Sequence, residues 1–254
     1  MAKSKQIVGI QMYTVRDLAA ADLPGTLKKL SQIGYKAVQI GGYPNMTPKQ
    51  VRKMMDDVGL ISAGTHLGVG SLTNDFAATV DLLKTIGSER AIVSSAPKEN
   101  RDSVDGYKKF AVQMNAAVEK LEKEKLGLSY HNHSFEFAKF GDKIAYDILF
   151  EALSPKIHAE IDTYWIKHGG GDPVAFLKRF KGRMSTVHFK DMAKDEAKTM
   201  VPVGNGILDW PNIIKATQAG GAKWLVVEQD DCKPLAPMDA AKASFDNLKK
   251  WGLA

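Results

Sequence analysis

Strand-like apolar runs and amphipathic helix-like runs follow one another eight times along this chain, and nothing else of regular character lies between them. That alternation is the tightest constraint on the fold. The patterning predicts strands over 7–12, 35–40, 60–65 and 90–94, the first followed by a loop at 13–17 and the second ended by Gly41 and Gly42. Helices are predicted over 23–33, 47–58, 76–86 and 104–125. Pro24 and the Thr47-Pro48 pair supply starts, and Gly34, Gly59 and Gly87 supply stops. Along the longest of these helices Phe110, Met114, Ala117, Val118 and Leu121 recur at spacings that build one apolar face. Four more strand-like segments end near residues 131, 162, 190 and 228, with helices predicted at 144–153, 173–180, 210–218 and 240–251.

Strict strand-then-helix order implies a parallel sheet with right-handed crossovers. Eight such units within 254 residues favour a closed (β/α)8 TIM barrel over an open doubly wound sheet. No Pro/Gly/Ser-rich linker divides the chain, so residues 1–254 are expected to form one domain. Apolar content of 44% with 25% charged residues argues against disorder. The net charge of +6 is spread along the chain. Lys120, Lys123 and Lys125, for example, alternate with Glu119, Glu122 and Glu124 as on a solvated helix face, which speaks against nucleic acid as a partner. Cys232 is the only cysteine, which excludes an internal disulfide and a thiol-only metal site. No apolar run reaches the ~18–20 residues of a membrane span. The basic start of the chain lacks a signal-peptide core, so a cytoplasmic location is expected, although a chain stripped of an export leader would read the same.

The last four strands share a further property. Alternation places Ser129 and His131 on one strand face, His158, Glu160 and Asp162 on another, and His188 and Lys190 on a third, while Glu228 closes the fourth segment. His131, Asp162, His188 and Glu228 therefore stand at equivalent strand ends, where barrel enzymes keep their active sites. Mixed nitrogen and oxygen donors of this kind suit Mn²⁺, Zn²⁺, Co²⁺ or Fe²⁺ better than Ca²⁺. Singly, each residue has a plainer reading: a hydrogen-bonded structural histidine, a turn-capping Asp162, an ion-paired Glu228. The coincidence of four at equivalent positions favours the metal site. Glu160 and Lys190 also point into the barrel. Two readings stay open for them: a structural pair with each other, or Lys190 donating to a substrate oxygen and Glu160 orienting a neighbouring histidine. His66, at the third strand end, is a candidate substrate contact, and Gln11, Tyr13 and Arg16 are weaker ones. The loop 203–210, with Gly204 and Gly206 before a helix capped by Asp209, reads as a rim loop with exposed N–H groups and only a weak case for phosphate.

Together, Gln11-Met-Tyr-Thr-Val-Arg16, Tyr130-His-Asn-His-Ser-Phe-Glu-Phe137, Glu160-Ile-Asp-Thr163, His188-Phe-Lys-Asp191, the 203–210 loop and Val227-Glu228 resemble the xylose-isomerase-like TIM barrels of the sugar phosphate isomerase/epimerase type. The resemblance spans nearly the whole chain. It implies one divalent ion held by a Glu, an Asp, a His and a second Glu. Asp162, His188 and Glu228 match that pattern, and His131 stands where the family has its first Glu. In the family's ketose epimerases two metal-bound carboxylates exchange a proton on opposite faces of the substrate, and here only Glu228 remains of that pair, unless Glu136 or Glu160 reaches inward.

The reading is a sugar or sugar phosphate isomerase/epimerase that uses one divalent ion (Mn²⁺, Zn²⁺, Co²⁺ or Mg²⁺) and abstracts a proton beside a carbonyl. His131, Asp162, His188 and Glu228 hold the ion. Glu228 acts as base, with His133 and Lys190 as its catalytic partners, and His66, Glu160, Arg16 and Glu136 meet a small carbohydrate substrate. The alternatives are β-elimination from a keto-sugar, as in inosose dehydratases and keto-glycoside lyases, and a sugar-binding barrel without turnover. An abasic-site endonuclease shares the barrel but needs three metals and more ligands than the chain supplies. Assembly into homo-oligomers is compatible with such a barrel.

Overall fold

The computed structural model describes residues 6–41 and 46–254; the basic start of the chain and Gly42 lie outside the described residues. Eight parallel strands close into a barrel. They are β1 (Ile7–Gln11), β2 (Ala37–Ile40), β3 (Ile61–Leu67), β4 (Arg90–Val93), β5 (Gly127–His131), β6 (Ile157–Asp162), β7 (Met184–Phe189) and β8 (Trp224–Val227). β8 pairs back onto β1, with Ile7 opposite Trp224 and Ile10 opposite Val227. The predicted architecture is the observed one: a (β/α)8 TIM barrel.

Outward-facing residues such as Leu128, Tyr130, Ile161, Val187 and Phe189 pack under the surrounding helices in one continuous core. Inside the barrel, Ala37, Ala63, Trp224 and Val226 form a separate small apolar cluster. Trp224, Val226 and Glu228 alternate on the inward face of one strand, so this plug lies directly below the polar strand ends. A floor of that kind keeps water from reaching the site from beneath.

The helices the sequence predicts at 23–33 and 76–86 occur with those bounds (Leu23–Ile33 and Phe76–Ile86), and the long helix spans Val104–Lys123. The closing helix starts earlier than expected, at Pro237. The predicted loop at 13–17 is instead a 3-10 turn, Met12–Val15, running into a helix, Arg16–Ala21. The Gln11 side chain accepts from the Tyr13 N–H and so starts that turn. Two other helices, Val69–Asn74 and Thr163–His168, are six residues long each, too short for a periodic signal. The second forms because Asp162 caps it, accepting from the Trp165 N–H at 2.8 Å. Among the described residues no helix is long and apolar enough to cross a membrane.

Candidate metal centre

β-Sheet register brings the four predicted donors together. Asp162 lies opposite His188 across β6 and β7, and His188 lies opposite Val226, two residues before Glu228. His131, on β5, lies opposite Glu160. One ligand atom from each of His131, Asp162, His188 and Glu228 falls within 4.8 Å of all the others. His188 Nδ1 is 3.0 Å from Glu228 Oε2 and 3.8 Å from Asp162 Oδ2, and His131 Nε2 is 4.0 Å from Asp162 Oδ2. Donors bound to one divalent ion at ~2.0–2.2 Å stand about 3–4 Å apart, so the spacing fits. The Asp162 carboxylate is the sharper test. Its Oδ1 is used by the helix cap, whereas Oδ2 is buried with no hydrogen-bond partner. A buried carboxylate oxygen left without a hydrogen bond is costly, and a cation at this point relieves it. The residues fit a divalent ion.

The charges in the cluster are strongly perturbed. Burial pushes Asp162 up to about 7, against the pull of Lys190 and His188 and with the push of Glu228. Burial opposes the charge of Glu228 too, but Lys190 and His188 hold it well below the usual carboxylate range. Burial alone would lower His188, yet Glu160 and Glu228 raise it well above an ordinary histidine. His131 has less compensation, and burial brings it down to about 4. Lys190 is held charged despite burial by Glu228, Asp162 and Asp230.

Two members of the cluster, His131 and Glu228, line a cavity of about 840 Å³ at the C-terminal ends of the strands. Gln11, Arg16, His66, His133, Lys190 and Asp230 line it as well. His133 stacks on Phe135 and is driven down to about 2, first by burial and then by His131, so it is neutral. Arg16 donates Nη1 to the carbonyls of Tyr13 and Asp230 and lies over the Tyr13 ring, part of the wall.

Three sequence expectations need correction: the Glu160–Lys190 pair, one of the two readings open for those residues, and Glu160 and Glu136 as substrate contacts, neither of which lines the cavity. Glu160 and Lys190 do not pair. Glu160 lies level with Thr186 and Asp162 with His188, so Lys190 stands two inward steps above Glu160. Lys190 Nζ instead meets Asp230 Oδ2 at 2.7 Å and Glu228 Oε2 at 3.1 Å. Glu160 turns to His66, His188, His131 and Gln39. Glu136, expected at the substrate, is not among the cavity residues. It is fully buried, accepting from the Tyr130 hydroxyl and the His133 N–H, and burial raises it to about 7. It holds the loop that presents His133. The Gly-containing 203–210 loop offers no free N–H cluster either: Asp191 accepts from Gly204, Gly206 and Leu208 N–H and from Trp210 Nε1.

Gln39 and Asp230 were not singled out from the sequence. Gln39 shares the inward face of β2 with Ala37, so the same alternation points it into the barrel, but an uncharged amide carries no acid–base or metal-ligand signal. Asp230 lies beyond its strand, where alternation says nothing.

The profile of the xylose isomerase-like TIM barrel matches residues 27–251. The chain belongs to that family. Among relatives of this xylose isomerase-like barrel, the rhizopine catabolism protein MocC of Rhizobium meliloti is 23% identical, with 90% of this chain and 81% of that protein aligned. An inosose dehydratase of Geobacillus kaustophilus is 24% identical over 90% of each chain. The crystal structure of a sugar phosphate isomerase/epimerase from Parabacteroides distasonis superposes with a TM-score of 0.84 at 24% identity, covering 99% of this chain and 96% of the other. That likeness extends the xylose isomerase-like fold over the described barrel.

Proposed function

We propose that this barrel is an enzyme that binds one divalent ion through His131, Asp162, His188 and Glu228 and isomerises or epimerises a sugar or sugar phosphate. The observation that carries the reading is Asp162 Oδ2, buried without a hydrogen bond and facing three other buried donors at the base of the barrel cavity. When bound, the ion supplies Lewis-acid polarisation of a carbonyl and an adjacent hydroxyl oxygen. Glu228, kept ionised by Lys190 and His188, takes the proton from the carbon next to the carbonyl. Lys190, a buried ammonium beside Glu228, stabilises the enediolate that results and is a donor for proton return. His133 is neutral here and takes part as an N–H donor or acceptor to a substrate hydroxyl. His66 and Arg16, on the cavity wall, position the substrate.

A second reading shares the first step. In β-elimination the proton again goes to Glu228, the electron pair forms the new double bond, and the hydroxyl β to the carbonyl leaves with a proton from Lys190. Two observations favour it: His131, held neutral, stands where a second carboxylate would return a proton from the opposite face, and inosose dehydratases are among the relatives.

Metal content by mass spectrometry, with Asp162→Ala as control, tests the site. About one ion per chain, lost in the variant, is the expected result. A keto-sugar screen in D₂O then separates the reactions. Isomerisation or epimerisation places deuterium on carbon in a sugar of unchanged formula, whereas elimination yields an unsaturated product one water lighter. Full turnover by Glu228→Gln would rule out the proposed base. Binding without turnover would leave a sugar-binding barrel.

A further inference from the structure

Two overlapping donor groups share the buried histidines of this barrel: His131, Asp162, His188 and Glu228, and, on the other side of the same rings, His66, His131, Glu160 and His188. We infer that a buried chain of hydrogen bonds through Gln11, Gln39 and Glu160 fixes His188 Nε2 as a donor and so assigns the ion to the first group. This rests on the metal reading above and goes beyond it, naming the residues that choose the site.

The direction of every link follows from its neighbours. The Tyr13 backbone N–H can only donate, and it meets Gln11 Oε1 at 3.2 Å. The Gln11 amide therefore turns its Nε2 toward Gln39 Oε1, 2.7 Å away. At the far end Gln39 Nε2 lies 2.6 Å from the Glu160 carboxylate oxygen Oε2. A reversed Gln39 would set NH₂ against NH₂ at one end and oxygen against carboxylate at the other. Its Oε1 is thus fixed as an acceptor, and His188 Nε2 sits 2.6 Å from it. His188 Nε2 must carry a proton, which leaves Nδ1 as the ligand atom, on the side of Glu228 and Asp162. His66 Nε2, at 2.5 Å from Glu160 Oε1, is likewise committed. Gln39 and Glu160 are fully buried and touch neither cavity nor reacting atoms, so they are positioning residues.

Zn²⁺ affinity, measured by competition with a chromophoric chelator, tests the assignment in three proteins. Gln39→Leu removes the acceptor and is expected to weaken binding about 10–100-fold. The double variant Gln39→Glu/Glu160→Gln exchanges carboxylate and amide. It restores an acceptor for His188 and Gln11 at 39 and a donor at 160, and is expected to bind within about threefold of the parent. Unchanged affinity in Gln39→Leu, or a double variant no better than that single one, overturns the relay. If the parent takes up no ion, the functional reading fails and the relay is judged in the metal-free protein. A slowly exchanging His188 Nε2–H proton resonance, present in the parent and the double variant and lost in Gln39→Leu, upholds it. Its absence from the parent refutes it.

Discussion

Lys190 Nζ lies 3.1 Å from Glu228 Oε2, the same oxygen that faces His188 Nδ1 at 3.0 Å. One carboxylate thus serves an ammonium and the donor set at once. The ammonium holds Glu228 ionised, and it also repels any cation bound to Glu228 and Asp162, the latter 3.7 Å away.

Lys190→Met is therefore expected to separate binding from turnover. Removing a buried like charge should tighten Mn²⁺ or Zn²⁺ binding roughly tenfold, while loss of the donor should lower kcat by about 10²–10⁴-fold. Calorimetric titration beside steady-state kinetics checks both halves. Weaker ion binding in Lys190→Met would contradict the repulsion.

Asp162 has two duties on two oxygens, and substitution can part them. Asp162→Asn retains an oxygen to cap Trp165 N–H but loses the charge at Oδ2, so it should lose the ion yet melt near the metal-free parent. Asp162→Ala should lose the ion and a further ~1 kcal/mol from the missing cap. Equal melting of the two variants would mean that the cap contributes nothing.

Ion affinity should rise with pH. Asp162 is raised to about 7 and His188 well above its ordinary value, so below neutrality both hold protons that an ion must displace. Affinity should climb as pH passes through about 7 and continue upward as His188 yields its Nδ1 proton. Calorimetry in buffers of different ionisation enthalpy would count the protons released. Asp162's own contribution to the stability of the metal-free protein runs the other way: because its folded-state pKa lies above its unfolded value, that contribution is fullest below about pH 4 and is lost as pH rises through about 7. A pH-independent affinity would contradict both directions.

Asp191 gathers the 203–210 loop by accepting from three backbone N–H groups and one indole. Asp191→Ala strands those donors in a buried place and should cost about 3 kcal/mol, seen as a melting temperature lower by roughly 6–12 °C. Asp191→Asn offers one acceptor oxygen in place of two and should fall between. A loss of less than about 1 kcal/mol in Asp191→Ala would show that water replaces the carboxylate.

Much of this was legible in one dimension. Strand–helix alternation set the barrel, and a period of two put His131, Asp162, His188 and Lys190 on inward faces, because side-chain direction in a strand is a local property of the backbone. Glu228 was legible as the end of an apolar run. His66 shows where that logic stops. Ala63 belongs to the inner plug and His66 to the cavity, three residues apart, which plain alternation forbids. A register shift opposite β2, with Gly64 at φ +113°, supplies the extra residue that turns His66 inward.

What the sequence determined by itself, then, was the order of elements, the closure they favour and the residue types at the strand ends, each of which depends on spacing along the chain. What only the tertiary structure decided was who meets whom. Lys190 pairs with Glu228 and Asp230 rather than Glu160 because strand register lifts it two inward positions above Glu160. Glu136 serves Tyr130 because its 3-10 turn folds it back against β5. Gln39 joins His188 across the barrel although 149 residues separate them in sequence. Such contacts depend on shear and depth within a closed sheet, and no local pattern encodes either.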